Sequence, residues 1–160
     1  MKLATTRGAL SMFTRQLAPT LAFVAAAIAS TTLYAGEPTT HMSPDNPDLE
    51  WIACPEFFHA DCGIAILRIN EDGSNADVFF RYPAGESFVE HWHTSAERIA
   101  VLRGTLEVTY EGQPTATVAT GEYAYGPAGR KHSGACVGDE DCVLFIAFEQ
   151  APDTHPVDSR

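Results

Sequence analysis

At 160 residues with a 45 % hydrophobic fraction, the chain has room for one folded domain and not two, and its composition is not that of a disordered segment. A formal net charge of −11 argues against nucleic acid as a partner, because phosphates would be repelled. An acidic surface of that size gives solubility and by itself names no partner.

Residues 1–35 read as a secretory signal peptide. Lys2, Arg7 and Arg15 make a basic start without any acidic residue, an apolar run follows from Leu17 to Ala29, and small residues come next. Cleavage can follow Ala29 or Ala35; Ala35 is preferred because the polar Gly36-Glu37-Pro38 begins there. The run is too short and too rich in alanine for the roughly 20 strongly apolar residues of a membrane span. A periplasmic or secreted protein with no membrane anchor is therefore expected.

Export makes Cys54, Cys62, Cys136 and Cys142 candidates for disulfides, and their spacings are not those of a zinc knuckle. Four cysteines allow three pairings. Cys136–Cys142 is favoured because Gly138-Asp139-Glu140-Asp141 between them has turn composition, with free thiols as the alternative.

Residues 36–62 form an arm, rich in Pro, Thr, Ser and Asp at first, leading into a first strand. Residues 63–150 then break into short β-rich runs. Those expected as strands are Gly63–Asn70, Ala76–Tyr82, Ser87–His93, Arg98–Arg103, Thr105–Tyr110, Ala116–Ala119, Glu122–Tyr125 and Cys142–Phe148. Turn residues such as Glu71-Asp72-Gly73-Ser74 and Pro83-Ala84-Gly85 separate them. No run keeps a helical period over three turns, so the expected class is all-β, a sandwich or barrel. Residues 151–160 read as a loose tail. Phe79, Phe80, Tyr82, Phe88, Tyr123, Tyr125, Phe145 and Phe148 alternate through the strands, so some must face the interior; Tyr123 and Tyr125 share a face and could line a cavity.

Strand geometry gives four residues a common meaning. His91 and His93, two apart, project from one face, while Trp92 points the other way. Glu97 follows the tight Thr94-Ser95-Ala96 connection, where the next strand can return its carboxylate to the pair. His132 comes just after the turn Gly126-Pro127-Ala128-Gly129. Three neutral imidazoles and a carboxylate suit one divalent ion of Fe, Mn, Ni, Cu or Zn. Four protein ligands on a six-coordinate ion leave positions open, as in a reactive site. His41, His59 and His155 lie in polar or loop contexts and are read as solvated, and Arg103 as a solvated residue at a hairpin edge.

The spacings then resemble a known family. Gly85, five residues, His91-x-His93, three residues, Glu97, six residues and Gly104 is similar to the first cupin motif. Gly121, five residues, Pro127-x-Gly129, two residues and His132 is similar to the second. The resemblance covers roughly Gly63 to Phe148 and implies a small double-stranded β-helix (jelly-roll) barrel with His91, His93, Glu97 and His132 as metal ligands. Two departures stand out: Cys136 occupies the place of a family Asn that is not a ligand, and Arg130 and Lys131 replace the Pro often seen before the second-motif His.

Cupins include iron or copper dioxygenases, manganese decarboxylases, lyases, isomerases and metal-loaded sensor domains. The resemblance stops short of a reaction, because one fold hosts many chemistries; the first expectation is a metal-dependent enzyme, dioxygenase-like or a lyase or decarboxylase, acting on a small oxygen-bearing molecule, with Glu97 as base where it can leave the metal. The alternatives are a non-catalytic ligand-binding or sensing module and a purely structural metal site in a scaffold. Self-association into a homodimer is compatible with each.

Overall fold

Alternation along the strands decides the architecture: each strand buries one row of side chains, and two sheets close on those rows. The computed structural model describes residues 39–157; the signal segment expected at 1–35 lies outside them, as do residues 158–160. The described strands are β1 (Ile52–Ala53), β2 (Gly63–Arg68), β3 (Ala76–Tyr82), β4 (Ser87–Trp92), β5 (Glu97–Arg103) and β6 (Thr105–Tyr110). They continue with β7 (Ala116–Ala119), β8 (Tyr123–Gly126), β9 (His132–Val137), β10 (Cys142–Phe148) and β11 (His155–Pro156). One sheet runs β1-β2-β3-β10-β5-β8 and the other β11-β4-β9-β6-β7, all neighbours antiparallel. This is the jelly roll that the resemblance implied. Among the described residues no helix is long and apolar enough to cross a membrane.

Val78, Ile99 and Val101 of the first sheet face Leu106 and Val108 of the second across the core, with Leu144, Ile146 and Phe148 of β10 beside them. Each such side chain contributes about 1.5–3 kcal/mol when fully buried. Strand β9, over His132–Val137, was not among the expected strands because His-Ser-Gly-Ala-Cys-Val lacks a clear alternation. Gly134 at its centre is required by packing: a Cβ there would run into the Glu107 carbonyl and the Phe88 ring.

Both disulfides form, Cys54–Cys62 with Cα atoms 5.5 Å apart and Cys136–Cys142 at 5.7 Å. The first pins the loop that carries Pro55 and Phe58 across the barrel mouth; Phe58 packs on Phe80, Tyr82 and Phe88. Arg103, read as solvated, instead holds the N-terminal arm: its guanidinium donates to both carboxylate oxygens of Asp45 at 2.8 and 2.9 Å.

Two further readings differ. Tyr123 and Tyr125 point outward, 61 and 51 % exposed. On β8 the inward positions are Ala124 and Gly126, and Gly126 pairs with Glu97, so the tyrosines fall on the outer face beside Ala100 and Arg98. The segment after Gln150 is not loose over its described part. β11 pairs with β4, His155 stacks on Trp92 with ring centroids 4.2 Å apart, and Val157 N–H donates to the Glu90 carbonyl.

Candidate metal centre

Three strands of the two sheets bring the three predicted histidines together and set Glu97 beside two of them. His91 lies near the end of β4 and His93 just beyond it, Glu97 opens β5, and His132 opens β9 directly across from His91 in the ladder. All four are buried, between 4 and 7 % exposed. His93 Nε2 lies 3.2 Å from Glu97 Oε1, and His132 Nε2 lies 3.4 Å from Glu97 Oε2. Ligand nitrogens of the three histidines all fall within 4.8 Å of one another.

The far side of each imidazole is fixed. His91 Nδ1–H donates to the Val89 carbonyl at 2.8 Å and His132 Nδ1–H to the Arg130 carbonyl at 3.1 Å. His93 Nδ1–H donates to the carbonyl of Asp153. With the proton committed to Nδ1, each ring offers the lone pair of Nε2 to the centre, which is the tautomer a metal ligand needs.

Burial sets the charge states. It pushes His91 down to about 3, with His132 adding to the effect, and His132 down to about 4; His93 is lowered by the same desolvation. It raises the Glu97 carboxyl to about 8. His93 Nε2 and Glu97 Oε2 are buried without a hydrogen-bond partner, as is the Tyr110 hydroxyl. Orphaned buried polar atoms are rare and call for an explanation. A donor set of three neutral imidazoles and one carboxylate, with two of its atoms unsatisfied, fits a divalent transition-metal ion.

The centre opens into a cavity of about 290 Å³, walled by aliphatic and aromatic side chains that include Phe80, Phe88 and Phe148. Phe79 and Phe145 lie on the opposite face, packed edge to face with centroids 6.5 Å apart.

The chain matches the family described as the ChrR cupin-like domain over residues 39–152. It belongs to that cupin family. No curated protein sequence matches this cupin. Its solved structural neighbours include a cupin-like protein from Thermotoga maritima, 19 % identical, covering 61 % of this chain and 77 % of the other at TM-score 0.55. Another is the polyketide cyclase RemF from Streptomyces resistomycificus, 19 % identical over 76 % of this cupin and 88 % of the cyclase, TM-score 0.60. A third is the DMSP lyase DddQ from Ruegeria pomeroyi, 23 % identical over 66 % of this chain and 60 % of the lyase, TM-score 0.54. Likeness at this identity is likeness of fold, and cupins so related include enzymes of different chemistry.

Reading the sequence alone missed three contributors. Tyr110 sits with its ring 5.0 Å from His132. Asp153 orients His93 through its main-chain oxygen, while its side chain accepts from Thr94 N–H at 2.8 Å. His155, read as solvated, is half-buried on Trp92 and 2.9 Å from Asp153 Oδ2. A main-chain carbonyl has no residue-type signature, so nothing in the tail composition pointed to it.

Proposed function

We propose that this is an exported, metal-dependent cupin enzyme acting on a small oxygen-bearing organic molecule, with His91, His93, Glu97 and His132 holding one divalent ion. The observation that carries the reading is the grouping of three imidazoles whose ligand nitrogens lie within 4.8 Å of one another, each ring tied through Nδ1, with the buried Glu97 carboxylate 3.2 and 3.4 Å from His93 and His132. An ion bound there supplies Lewis acidity, or dioxygen chemistry if it is iron(II). The chain's own part is to orient the ligands, to exclude water behind an apolar wall, and to offer Glu97 as the group that takes and returns a proton. Glu97 can take a proton only where it leaves the metal, and there burial, which raises its carboxyl, favours the protonated form. Export is supported by the paired cysteines and by the basic, apolar, small order of residues 1–35.

A second reading is supported by the scarcity of acid–base groups. Apart from the four ligand residues, Asp153 is the one ionisable residue among those lining the cavity, and its carboxylate is engaged by Thr94 and His155. A non-catalytic binding or sensing module needs no second acid or base. The two readings separate in one set of measurements on protein purified from its own compartment. About one transition-metal ion per chain is expected, largely lost in His91→Ala and His132→Ala, and the mature chain should begin near Gly36 or Ser30 by mass spectrometry. Equal metal content in a His91/His93 double variant rules out the site. Screened with Fe, Mn, Ni, Cu or Zn against enols, catechols, flavonols and small keto acids, the protein should consume one of them, and Glu97→Ala should abolish turnover. Tight binding without turnover under every metal favours the sensing module.

A further inference from the structure

The walls of the cavity decide what can occupy it more sharply than the metal ligands do. Ile64, Val78, Phe80, Leu106, Leu144 and Ile146 form the body of the wall. Apart from the three histidines and Glu97, the polar side chains that line it are Asp153 and Thr154, and no Lys or Arg does. Other cations of the barrel are placed elsewhere: Arg81 over the Trp51 ring, Arg98 on Glu149, Arg103 on Asp45, and Lys131 near Glu111.

This arrangement disfavours three classes of occupant. A carboxylate, phosphate or sulfate away from the centre would be buried without a counter-charge. A sugar or polyol would leave hydroxyls unpartnered against aliphatic side chains. An ammonium group would find only Asp153, already engaged by Thr94 and His155. Size narrows the class further, since the cavity of about 290 Å³ is roughly twice the 150 Å³ void that takes up benzene. Ile52 and Ile66, 47 and 48 % exposed, also line the cavity, so its entrance is apolar as well.

We propose that the cavity takes an uncharged, largely apolar molecule, one to two rings in size, whose oxygen donors lie at one end only. The donor end sits at His91, His93 and His132, and the hydrocarbon lies among Val78, Phe80, Leu144 and Ile146. The placement of the donor end rests on the metal reading above; the apolar class rests on the wall alone.

A series sharing one chelating head tests it: catechol, 4-tert-butylcatechol and 3,4-dihydroxybenzoate, titrated calorimetrically into metal-loaded protein. Each buried methylene is a factor of roughly four in affinity, so 4-tert-butylcatechol should bind at least tenfold tighter than catechol. The carboxylated compound should bind at least tenfold more weakly than catechol, and Ile66→Arg, which places a cation at the exposed entrance, should recover most of that loss. In metal-free protein, toluene should shift the methyl resonances of Ile64, Val78 and Leu144. If wild-type protein holds no metal, the proposed function fails while the toluene result still stands. If metal is bound but the carboxylated compound binds as well as the alkylated one, or toluene shifts none of those methyls, the apolar class is overturned.

Discussion

His93 donates its Nδ1 proton to the main-chain oxygen of Asp153, sixty residues further along the chain. The same aspartate accepts from Thr94 N–H and is itself met by His155, so one short segment holds a candidate ligand and its neighbour by two hydrogen bonds. Truncation after Gln150 should therefore weaken metal binding about 10- to 100-fold, the usual cost of losing an outer partner of a ligating histidine. Truncation after Val157 should leave it unchanged. Competition titration against a chromophoric chelator measures both, with far-ultraviolet circular dichroism checking that the barrel persists.

Glu97 predicts how metal affinity depends on pH. The folded metal-free site keeps a proton on this carboxyl up to about pH 8, whereas His91 and His132, at about 3 and 4, are already neutral near pH 7. Metal must displace the Glu97 proton, so affinity should rise with pH, about tenfold per unit between pH 5.5 and 7.5, and level off above 8. Near pH 7, calorimetry in buffers of different ionisation enthalpy should find about one proton released per ion. Glu97→Gln should remove the slope, and a release of two or three protons would mean that the histidines are charged in the free protein.

Gly126 is the hinge of space between Glu97 and Tyr110. A Cβ on it would sit 2.6 Å from the Tyr110 hydroxyl and 2.9 Å from Glu97 Oε2. Gly126→Ala should displace the carboxylate, cutting metal affinity at least tenfold while costing about 1–3 kcal/mol of stability, as overpacking does. Tyr110→Phe goes the other way. Removing a buried hydroxyl that has no partner should leave the metal-free protein as stable as wild type or more so by about 1 kcal/mol, and a loss of about 2 kcal/mol in urea denaturation would mean that the hydroxyl is paired.

The two disulfides should differ in what they protect. Each closes a short loop worth about 2–3 kcal/mol in the chain-entropy account. Replacing Cys136 and Cys142 by Ser should lower the melting temperature and little else. Replacing Cys54 and Cys62 should also release Phe58, whose ring lies 5.2 Å from His91, and so weaken ligand retention in the cavity. Non-reducing peptide mapping checks the pairing, and a melting temperature unmoved by either double substitution would show that the bridges contribute nothing to stability.

How much of this was legible in the sequence depends on the kind of contact. Seven of the strand spans, from Ala76–Tyr82 to Cys142–Phe148, need no shift or a shift of one residue, because β-branched and aromatic runs bounded by Gly or Pro carry their own ends. Gly104 fits this pattern, at φ 75° with Asp141 O only 2.9 Å from where a Cβ would stand. His91 and His93 could be placed together because residues two apart on a strand share a face, whereas Glu97 and His132 stand on other strands and were joined to them by the connection before each and by the resemblance to the cupin motifs. Tyr123 and Tyr125 were not, because which face is inward depends on Gly126 lying against Glu97 from a neighbouring strand. β9 was hidden by Gly134, a residue that argues against a strand until its neighbours are in place.

The tie between His93 and Asp153 also has a consequence in time. His91 and His93 leave the ribosome well before the carbonyl that orients the second of them, and β10, which lies between β3 and β5, is made late as well. The pocket of ligands cannot be complete until nearly all of the described chain has been synthesised and folded. Wherever the chain completes its folding, the metal it takes up is then decided by the ions available there, not by those present where translation begins.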